Sequence, residues 1–144
     1  MTTVLPRTLI TRSLRGAAIA AGALAAVVAT MPTADAATAR NGVCESGEFC
    51  YYYGSNETGS VSDFTGSIGN YGSTQPTCYE FIGAGAGQGL CIKNQAASVW
   101  NRAAGSTTVY LNSNFSGSSQ TFATGVKANL NSTLKNNNAS HRIN

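Results

Sequence analysis

The sequence has little charge, a single histidine and no long strongly apolar run. Only 10% of its 144 residues are charged, against roughly 25% in an average soluble domain. This deficit excludes coiled coils, helical bundles and charge-driven disorder, which all need many more Lys and Glu residues. Gly, Ser, Thr and Asn fill the remaining positions, a composition typical of strands joined by turns. We expect one domain, large enough to bury a core without a metal or a partner.

The apolar run near the N-terminus is too short for a comfortable membrane span. It covers residues 16–28, follows three arginines and precedes the Ala-Asp-Ala sequence of residues 34–36. A span needs about 20 strongly apolar residues, whereas basic residues, a short apolar core and small residues at a cleavage point are typical of a secretory signal peptide. We predict a signal peptide over residues 1–36 and one mature, extracellular domain over 37–144. An N-terminal anchor helix is the alternative.

Cleavage removes most of the positive charge. The whole chain carries a formal charge of +3, but residues 37–144 contain six Lys and Arg against five Asp and Glu, which leaves six minus five, or +1. The mature part has no clustered basic patch of the kind that nucleic acid or anionic lipid requires. We therefore expect no nucleic-acid partner and, after cleavage, no membrane partner.

All four cysteines lie in the predicted mature domain. In an oxidising compartment an even number of thiols normally forms disulfides. Zinc is the competing interpretation, but the spacing contains no C-x-x-C pair and the only His is remote from the cysteines. Three pairings are possible, and closure of the shortest loops favours Cys44 with Cys50 and Cys78 with Cys91.

The mature part contains an internal repeat. Nine residues from Tyr52 align with nine from Tyr110, and six residues from Lys93 align with six from Lys135. The two repeats cover about residues 50–103 and 108–144.

Both repeats read as β-strands. Aromatic and β-branched runs are followed by Asn, Ser and Gly, which end a strand and begin a turn. No stretch of the mature part shows sustained helical spacing of apolar residues. We predict an all-β domain whose core includes six aromatic residues: Tyr52, Phe64, Trp100, Tyr110, Phe115 and Phe122.

The repeat carries a motif that resembles the Greek-key motif of the βγ-crystallins. In the second repeat the motif is a Tyr, an aromatic residue, a Gly and a Ser: Tyr110, Phe115, Gly117 and Ser140. The first repeat keeps three of these types: Tyr52, Gly59 and Ser98. Glu57 stands at its aromatic position, so we expect that hairpin to pack less apolar surface. The resemblance implies a disulfide-stabilised sandwich of two Greek keys with about eight strands, in which Gly permits a left-handed backbone and Ser hydrogen-bonds onto the hairpin.

A narrower resemblance covers nearly all of residues 42–142. The Cys-Glu-Ser-Gly-Glu-Phe-Cys sequence from Cys44, the Ala-Ser-Val-Trp-Asn run from Ala97 and the closing Asn-Ala-Ser-His from Asn138 are similar to secreted proteins of peptidase inhibitor family I36. These are small, exported, actinobacterial βγ-crystallin-like domains, and the founding member inhibits thermolysin-type metallopeptidases. The resemblance implies a secreted inhibitor of a metallo- or serine endopeptidase. In the founding inhibitor the reactive loop lies in the second half, whereas here residues 106–144 contain no cysteine.

The segment from Cys78 to Cys91 is the candidate peptidase-binding loop. An inhibitory loop should be rigid and protruding, so that binding orders little, and a disulfide restricts this one. Four glycines between residues 83 and 89 predict a flexible tip. Apolar anchors suit interface centres, although Tyr79 and Phe81 also alternate as half-buried strand residues would. The candidate contact residues are Tyr79, Glu80, Phe81, Ile82, Leu90 and Ile92.

Calcium is the competing ligand, because many crystallin-type domains carry Asn/Asp-Asn/Asp-x-x-Ser/Thr-Ser in each half. Here both repeats read Lys-Asn-x-x-Ala-Ser. The degenerate motif leaves four candidate ligand residues: Asn94, Ser98, Asn136 and Ser140. Calcium takes six to eight oxygen ligands, and an ammonium group in place of a carboxylate adds repulsion. We therefore expect no cofactor and no tight calcium binding.

Few features favour catalysis. The single His141 is expected at a surface or strand position, and no G-x-S-x-G sequence occurs. We predict a monomeric non-enzyme whose partner is a secreted endopeptidase. The alternative is an extracellular crystallin-type module that is structural, toxin-like or weakly calcium-binding and does not inhibit peptidases.

Overall fold

Residues 36–144 are described by the computed structural model and contain strands and turns but no helix. The predicted signal peptide of residues 1–36 lies, apart from Ala36, outside the described residues. The seven strands, in chain order, are β1 (Phe49–Tyr52), β2 (Val61–Phe64), β3 (Ser98–Asn101), β4 (Thr107–Asn112), β5 (Ser116–Phe122), β6 (Lys127–Asn129) and β7 (Ser140–Ile143).

The strands form two antiparallel sheets, and each repeat contributes to both. The first sheet has the order β2-β1-β3-β6 and the second has the order β5-β4-β7. Strand β6 belongs to the second repeat but pairs with β3 of the first. Reciprocally, Ile68 of the first repeat forms a single bridge with His141 of β7. The predicted all-β Greek-key fold is confirmed, with seven strands and this bridge at the place of an eighth.

The core lies on the inward faces of both sheets, and the sequence prediction chose the wrong face of three strands. Side chains alternate between the two faces of a strand, and the inward residues are the immediate predecessors of the predicted ones. The fully buried residues at these places are Tyr51, Val99 and Val109. Four predicted core residues are only half-buried: Tyr52, Trp100, Tyr110 and Phe115. The prediction is confirmed for Phe64 and Phe122, which are buried.

The half-buried Trp100 is covered by cations rather than by the core. The guanidinium carbon of Arg102 lies 4.6 Å from the ring centroid of Trp100, and Nζ of Lys127 lies 4.1 Å from it. A cation over the face of an indole ring is attracted by the ring quadrupole. These contacts give a large aromatic side chain a stable place outside the core.

A chain of buried polar groups links the repeats inside the core. The hydroxyl of Tyr51 lies 2.5 Å from that of Tyr71, which lies 2.8 Å from Nδ1 of His141, and Nε2 of His141 lies 3.0 Å from the carbonyl oxygen of Gly66. Since a carbonyl only accepts, Nε2 carries the proton and Nδ1 accepts from Tyr71. Burial lowers the pKa of His141 to about 3 and raises the pKa of both tyrosines. His141 is therefore a neutral, structural residue.

Candidate functional site

Both disulfides reinforce the first repeat. Cys44 is bonded to Cys50 and Cys78 to Cys91, with Cα atoms 5.9 and 5.6 Å apart. This is the pairing that closure of the shortest loops favours. The first disulfide fixes the segment before β1 to that strand, and the second closes the candidate peptidase-binding loop.

Only part of that loop can contact a partner. Phe81 and Ile92 are fully buried in the core, so the structure corrects their assignment as contact residues. Tyr79 is half-buried and packs against the ring of Phe64 at a centroid distance of 5.5 Å. The side chain of Leu90 is 45% exposed and is the large apolar group of the loop that faces solvent.

Glu80 and Ile82 are half-buried and stabilise the loop from within. A carboxylate oxygen of Glu80 accepts a hydrogen bond from the side-chain amide of Gln75 at 2.9 Å. The carbonyl oxygen of Ile82 accepts one from the side-chain amide of Gln88 at 3.1 Å. These two residues therefore have structural partners already.

The glycine-rich stretch is pinned to the sheet, which corrects the prediction of a flexible tip. The backbone amides of Ile82 and Gly83 donate to the carbonyl of Val61 at 2.9 and 3.0 Å. The amide of Ser60 donates to the carbonyl of Ala86 at 2.9 Å. Gly87 has a φ of +88° and lies against the ring of Tyr53, where a Cβ would overlap the ring. Glycine is required there because any side chain would separate the loop from the sheet.

We name residues 87–90 of the loop its ridge, because they hold the exposed side chain of Leu90 on a hydrogen-bonded backbone. The amide of Leu90 donates to the carbonyl of Gly87 at 3.0 Å, and its carbonyl accepts from the amide of Phe81 at 3.0 Å. The carbonyl of Gly89 accepts from the side chain of Gln75 at 2.7 Å. The backbone of Leu90 is thus held before any partner binds, and the disulfide of the next residue, Cys91, restrains it further.

The two motif serines have the same partners in both repeats. The hydroxyl of Ser98 donates to the carbonyl of Gly54 at 2.7 Å and accepts from the amide of Glu57 at 2.9 Å. The hydroxyl of Ser140 donates to the carbonyl of Asn112 at 2.7 Å and accepts from the amide of Phe115 at 3.1 Å.

The hairpins that these serines close share their backbone conformation. Glu57 and Phe115 have φ values of +53° and +57°, and Gly59 and Gly117 have values of +77° and +79°. A serine hydroxyl that bridges an amide and a carbonyl stabilises this left-handed turn. The motif residues therefore have structural roles in the two hairpins.

The degenerate calcium motifs line two open clefts, and the residues present do not fit calcium. The first cleft has a volume of about 540 Å³ and is lined by Asn94 and Asn136, and the second has a volume of about 350 Å³ and is lined by Asn94. Nζ of Lys135 lies 2.8 Å from the hydroxyl of Ser55, and Nζ of Lys93 lies 3.2 Å from that of Ser113. Each ammonium group extends to the hairpin of the other repeat, where it would repel a second cation. Within residues 36–144, no three His, Cys, Asp or Glu side chains are grouped as metal ligands.

An ordered segment before β1 was not found from the sequence. The guanidinium group of Arg40 donates to the carbonyl of Glu80 at 2.7 Å and to the hydroxyl of Ser62. It also lies over the ring of Phe64, 4.7 Å from its centroid. Burial lowers the pKa of Arg40. We name residues 38–44 the N-terminal arm. The position of Arg40 has no sequence signal, because Ser62 and Glu80, which bind it, are more than 20 residues away along the chain.

Among the residues that the structure describes, no helix has the length and apolar character needed to cross a membrane.

Comparison with solved structures shows the fold. One similar structure, described as "Evolution of the eye lens beta-gamma-crystallin domain fold", has a TM-score of 0.51 and 15% identity, over 69% of this chain and 86% of that one. A beta gamma crystallin from Ciona intestinalis has a TM-score of 0.50 and 12% identity, over 68% of this chain and 100% of that one. A search of curated proteins finds no match.

Comparison with protein families shows which family the chain belongs to. The sequence profile described as peptidase inhibitor family I36 matches residues 37–122, which is more than half of the chain. The match includes both disulfides, the N-terminal arm and the candidate peptidase-binding loop. The chain belongs to peptidase inhibitor family I36.

Proposed function

We propose that this chain is a secreted, monomeric and non-catalytic inhibitor of an endopeptidase, which it contacts through the exposed ridge of the loop between Cys78 and Cys91. The main support for this proposal is the exposure of Leu90. Its side chain is 45% exposed, and its backbone is held by hydrogen bonds and by the adjacent disulfide. Membership of an inhibitor family supports a peptidase as the partner.

The geometry of the ridge suits insertion into a cleft. Binding normally costs free energy to order loops and side chains at the interface. In this loop the disulfide, the pairing with Val61 and the glycine contact with Tyr53 have already fixed the backbone. Leu90 then acts as an apolar anchor, the type of group that dominates interface centres when it fills a pocket. The partner is a metallo- or serine endopeptidase with an apolar pocket beside its cleft.

Export and calcium independence belong to the same proposal. Residues 1–36 act as the signal peptide, so N-terminal sequencing of the secreted protein should begin at Ala37. Lys93 and Lys135 exclude a cation from the two clefts, so calorimetry on the chelator-treated inhibitor alone should show no calcium heat. Leaving the peptidase out of that measurement avoids removing a metal from the peptidase itself.

The test is an inhibition assay on the secreted protein at micromolar concentration, against a panel that includes thermolysin-like and subtilisin-like enzymes. At least one enzyme should be slowed, and Leu90→Ser should weaken that inhibition by about tenfold, the size of effect expected for a contact hot spot. Val126→Ser is the matched control, because Val126 is 36% exposed and lies before β6 at the opposite edge of the first sheet. No slowing by the wild type across the panel would refute the proposal. Growth inhibition of microbes without peptidase inhibition would support the toxin-like alternative.

A further inference from the structure

The N-terminal arm presents the most exposed large apolar side chain among the described residues. Val43 is 56% exposed, against 45% for Leu90 and 36% for Val126. Burial of a valine side chain is favourable by about 1.5 to 3 kcal/mol, so an exposed valine contributes little to the fold. Single exposed apolar residues are common, and the backbone around Val43 is what sets this one apart.

That backbone is held on both sides of Val43. The fully buried carboxylate of Asp63 accepts from the amides of Asn41 and Gly42 at 2.9 and 2.8 Å. The amide of Val43 donates to the side chain of Asn41 at 2.8 Å. On the other side, the guanidinium of Arg102 donates to the carbonyl of Cys44 at 2.7 Å. The carboxylate of Asp63, the guanidinium of Arg102 and the disulfide of Cys44 thus hold the backbone on both sides of Val43.

The arm lies against the candidate peptidase-binding loop. Gly42 approaches Gly83 so closely that a Cβ on Gly42 would come within 2.9 Å of the amide nitrogen of Gly83. Arg40 binds the carbonyl of Glu80, the residue that faces Cys91 across a β-bridge. The arm and the loop are therefore direct neighbours beyond β2. Val126 precedes β6, which is separated from β2 by three strand spacings of about 4.8 Å each.

We infer that Val43 is a second contact point for the same endopeptidase, filling an apolar subsite next to the one that takes Leu90. This inference rests on the proposed function and names a further specificity-determining residue for it. Two contacts on one rigid surface bind together without a second ordering cost. The contact at Val43 selects peptidases that have an apolar site at that distance from the cleft.

The experiment compares Val43→Ser, Leu90→Ser, the double variant and the Val126→Ser control, using the panel enzyme that the wild type inhibits most strongly. Val43→Ser should raise the inhibition constant by about tenfold and the double variant by about a hundredfold, because separate contacts add in free energy. Val126→Ser should change it by less than about twofold. All four variants should unfold cooperatively near the wild-type midpoint, and Val126→Ser should be shifted at least as much as the other single variants because Val126 is the least exposed of the three side chains.

The outcomes separate this inference from the proposed function. In one outcome Val43→Ser leaves the inhibition constant as unchanged as Val126→Ser does, while Leu90→Ser raises it. In that case Val43 is not a contact, and only this inference fails. If Val43→Ser raises the inhibition constant and Leu90→Ser does not, the arm contacts the peptidase and the assignment of Leu90 as a contact fails. A wild-type protein that inhibits no panel enzyme refutes both. A wild-type dimer that Val43→Ser converts to a monomer would assign Val43 to self-association and overturn the inference.

Discussion

The first repeat, together with the segment before it, contains both disulfides, the N-terminal arm and the glycine-rich loop, whereas the second repeat contains no cysteine. Their hairpins nevertheless share the serine contacts and the left-handed backbone described above. The common geometry is therefore sufficient for a stable hairpin without a covalent bond. The disulfides are found where extra segments leave the sheet, and those segments carry Leu90 and Val43.

Acid should have the largest effect, because it breaks the link between the repeats. His141 of β7 bonds to Tyr71 and to Gly66 of the first repeat and stays neutral when buried. Its folded pKa of about 3 is below the unfolded value of 6.5, so its contribution is complete above pH 6.5 and is lost as the pH falls toward 3. The free energy of unfolding should decrease by up to about 5 kcal/mol over this range.

Denaturant titrations between pH 7 and pH 4 measure this effect, with His141→Gln as the control. The variant should be less stable at pH 7 but should lose less stability on acidification. Burial raises the pKa of Glu48, which opposes the loss at low pH in both proteins, so the difference between the two profiles isolates His141. Identical pH profiles would show that protonation of His141 is not the cause.

Removing the Cys78–Cys91 disulfide should have the next largest effect. The replacement of both cysteines by Ala frees a loop with a sequence separation of 13, which corresponds to about 3 kcal/mol in the chain-entropy estimate. The equivalent change at Cys44 and Cys50, with a separation of 6, should cost about 2 kcal/mol. Equilibrium denaturation of both variants gives the order. A larger loss at Cys44 and Cys50 would mean that the arm, rather than the loop, depends more on its covalent bond.

The motif serines test whether the hairpins are energetically equivalent. Ser98→Ala and Ser140→Ala each leave one backbone amide and one carbonyl without their partner, so each should lower the free energy of unfolding by about 1 to 3 kcal/mol. The two losses should agree within about 1 kcal/mol, because the hydrogen bonds match in length. Unequal losses would indicate that the surroundings of one hairpin compensate for its serine.

Giving Glu57 and Phe115 each other's side chain, in two separate single variants, should have the smallest effect on the free energy of unfolding. Phe115 contacts the ring of Tyr110 at a centroid distance of 6.0 Å and lies under the guanidinium of Arg142 at 4.4 Å. Phe115→Glu should therefore cost about 1 kcal/mol. Glu57→Phe should stabilise the first hairpin by about 0.5 kcal/mol through the ring of Tyr52. Thermal unfolding of both single variants checks the signs, and a stabilising Phe115→Glu would contradict the interpretation.

The strands and hairpin corners could be predicted because they depend on local chemistry. Tyr, Gly and Ser at fixed spacing mark a turn and the hydroxyl that closes it, and this pattern occurs twice in the sequence. The side of each strand that faces the core could not be predicted, because β1 carries large side chains on both faces. Tyr51 and Tyr52 are equally plausible core residues until the cations and the disulfide that cover the outer face are known.

The candidate site was predicted only in part for a related reason. The cysteine spacing identified the loop, and Leu90 within it is exposed. The burial of Phe81 and Ile92 depends on which side of the loop meets the sheet, and composition does not contain that information. Val43 was missed because its position is fixed by Asp63 and Arg102, which are distant in sequence.

The exchange of β6 and Ile68 between the sheets makes the two repeats depend on each other. A fragment that ended at Phe122, where the family match ends, would lack both β6 and β7. Strand β3 would then lose one neighbour and β4 another. The first repeat alone would lack β6 in the first sheet, and the second repeat alone would lack the Ile68 bridge to His141. Unfolding of one repeat therefore exposes an edge of the sheet that the other repeat occupies, so the two repeats should unfold together.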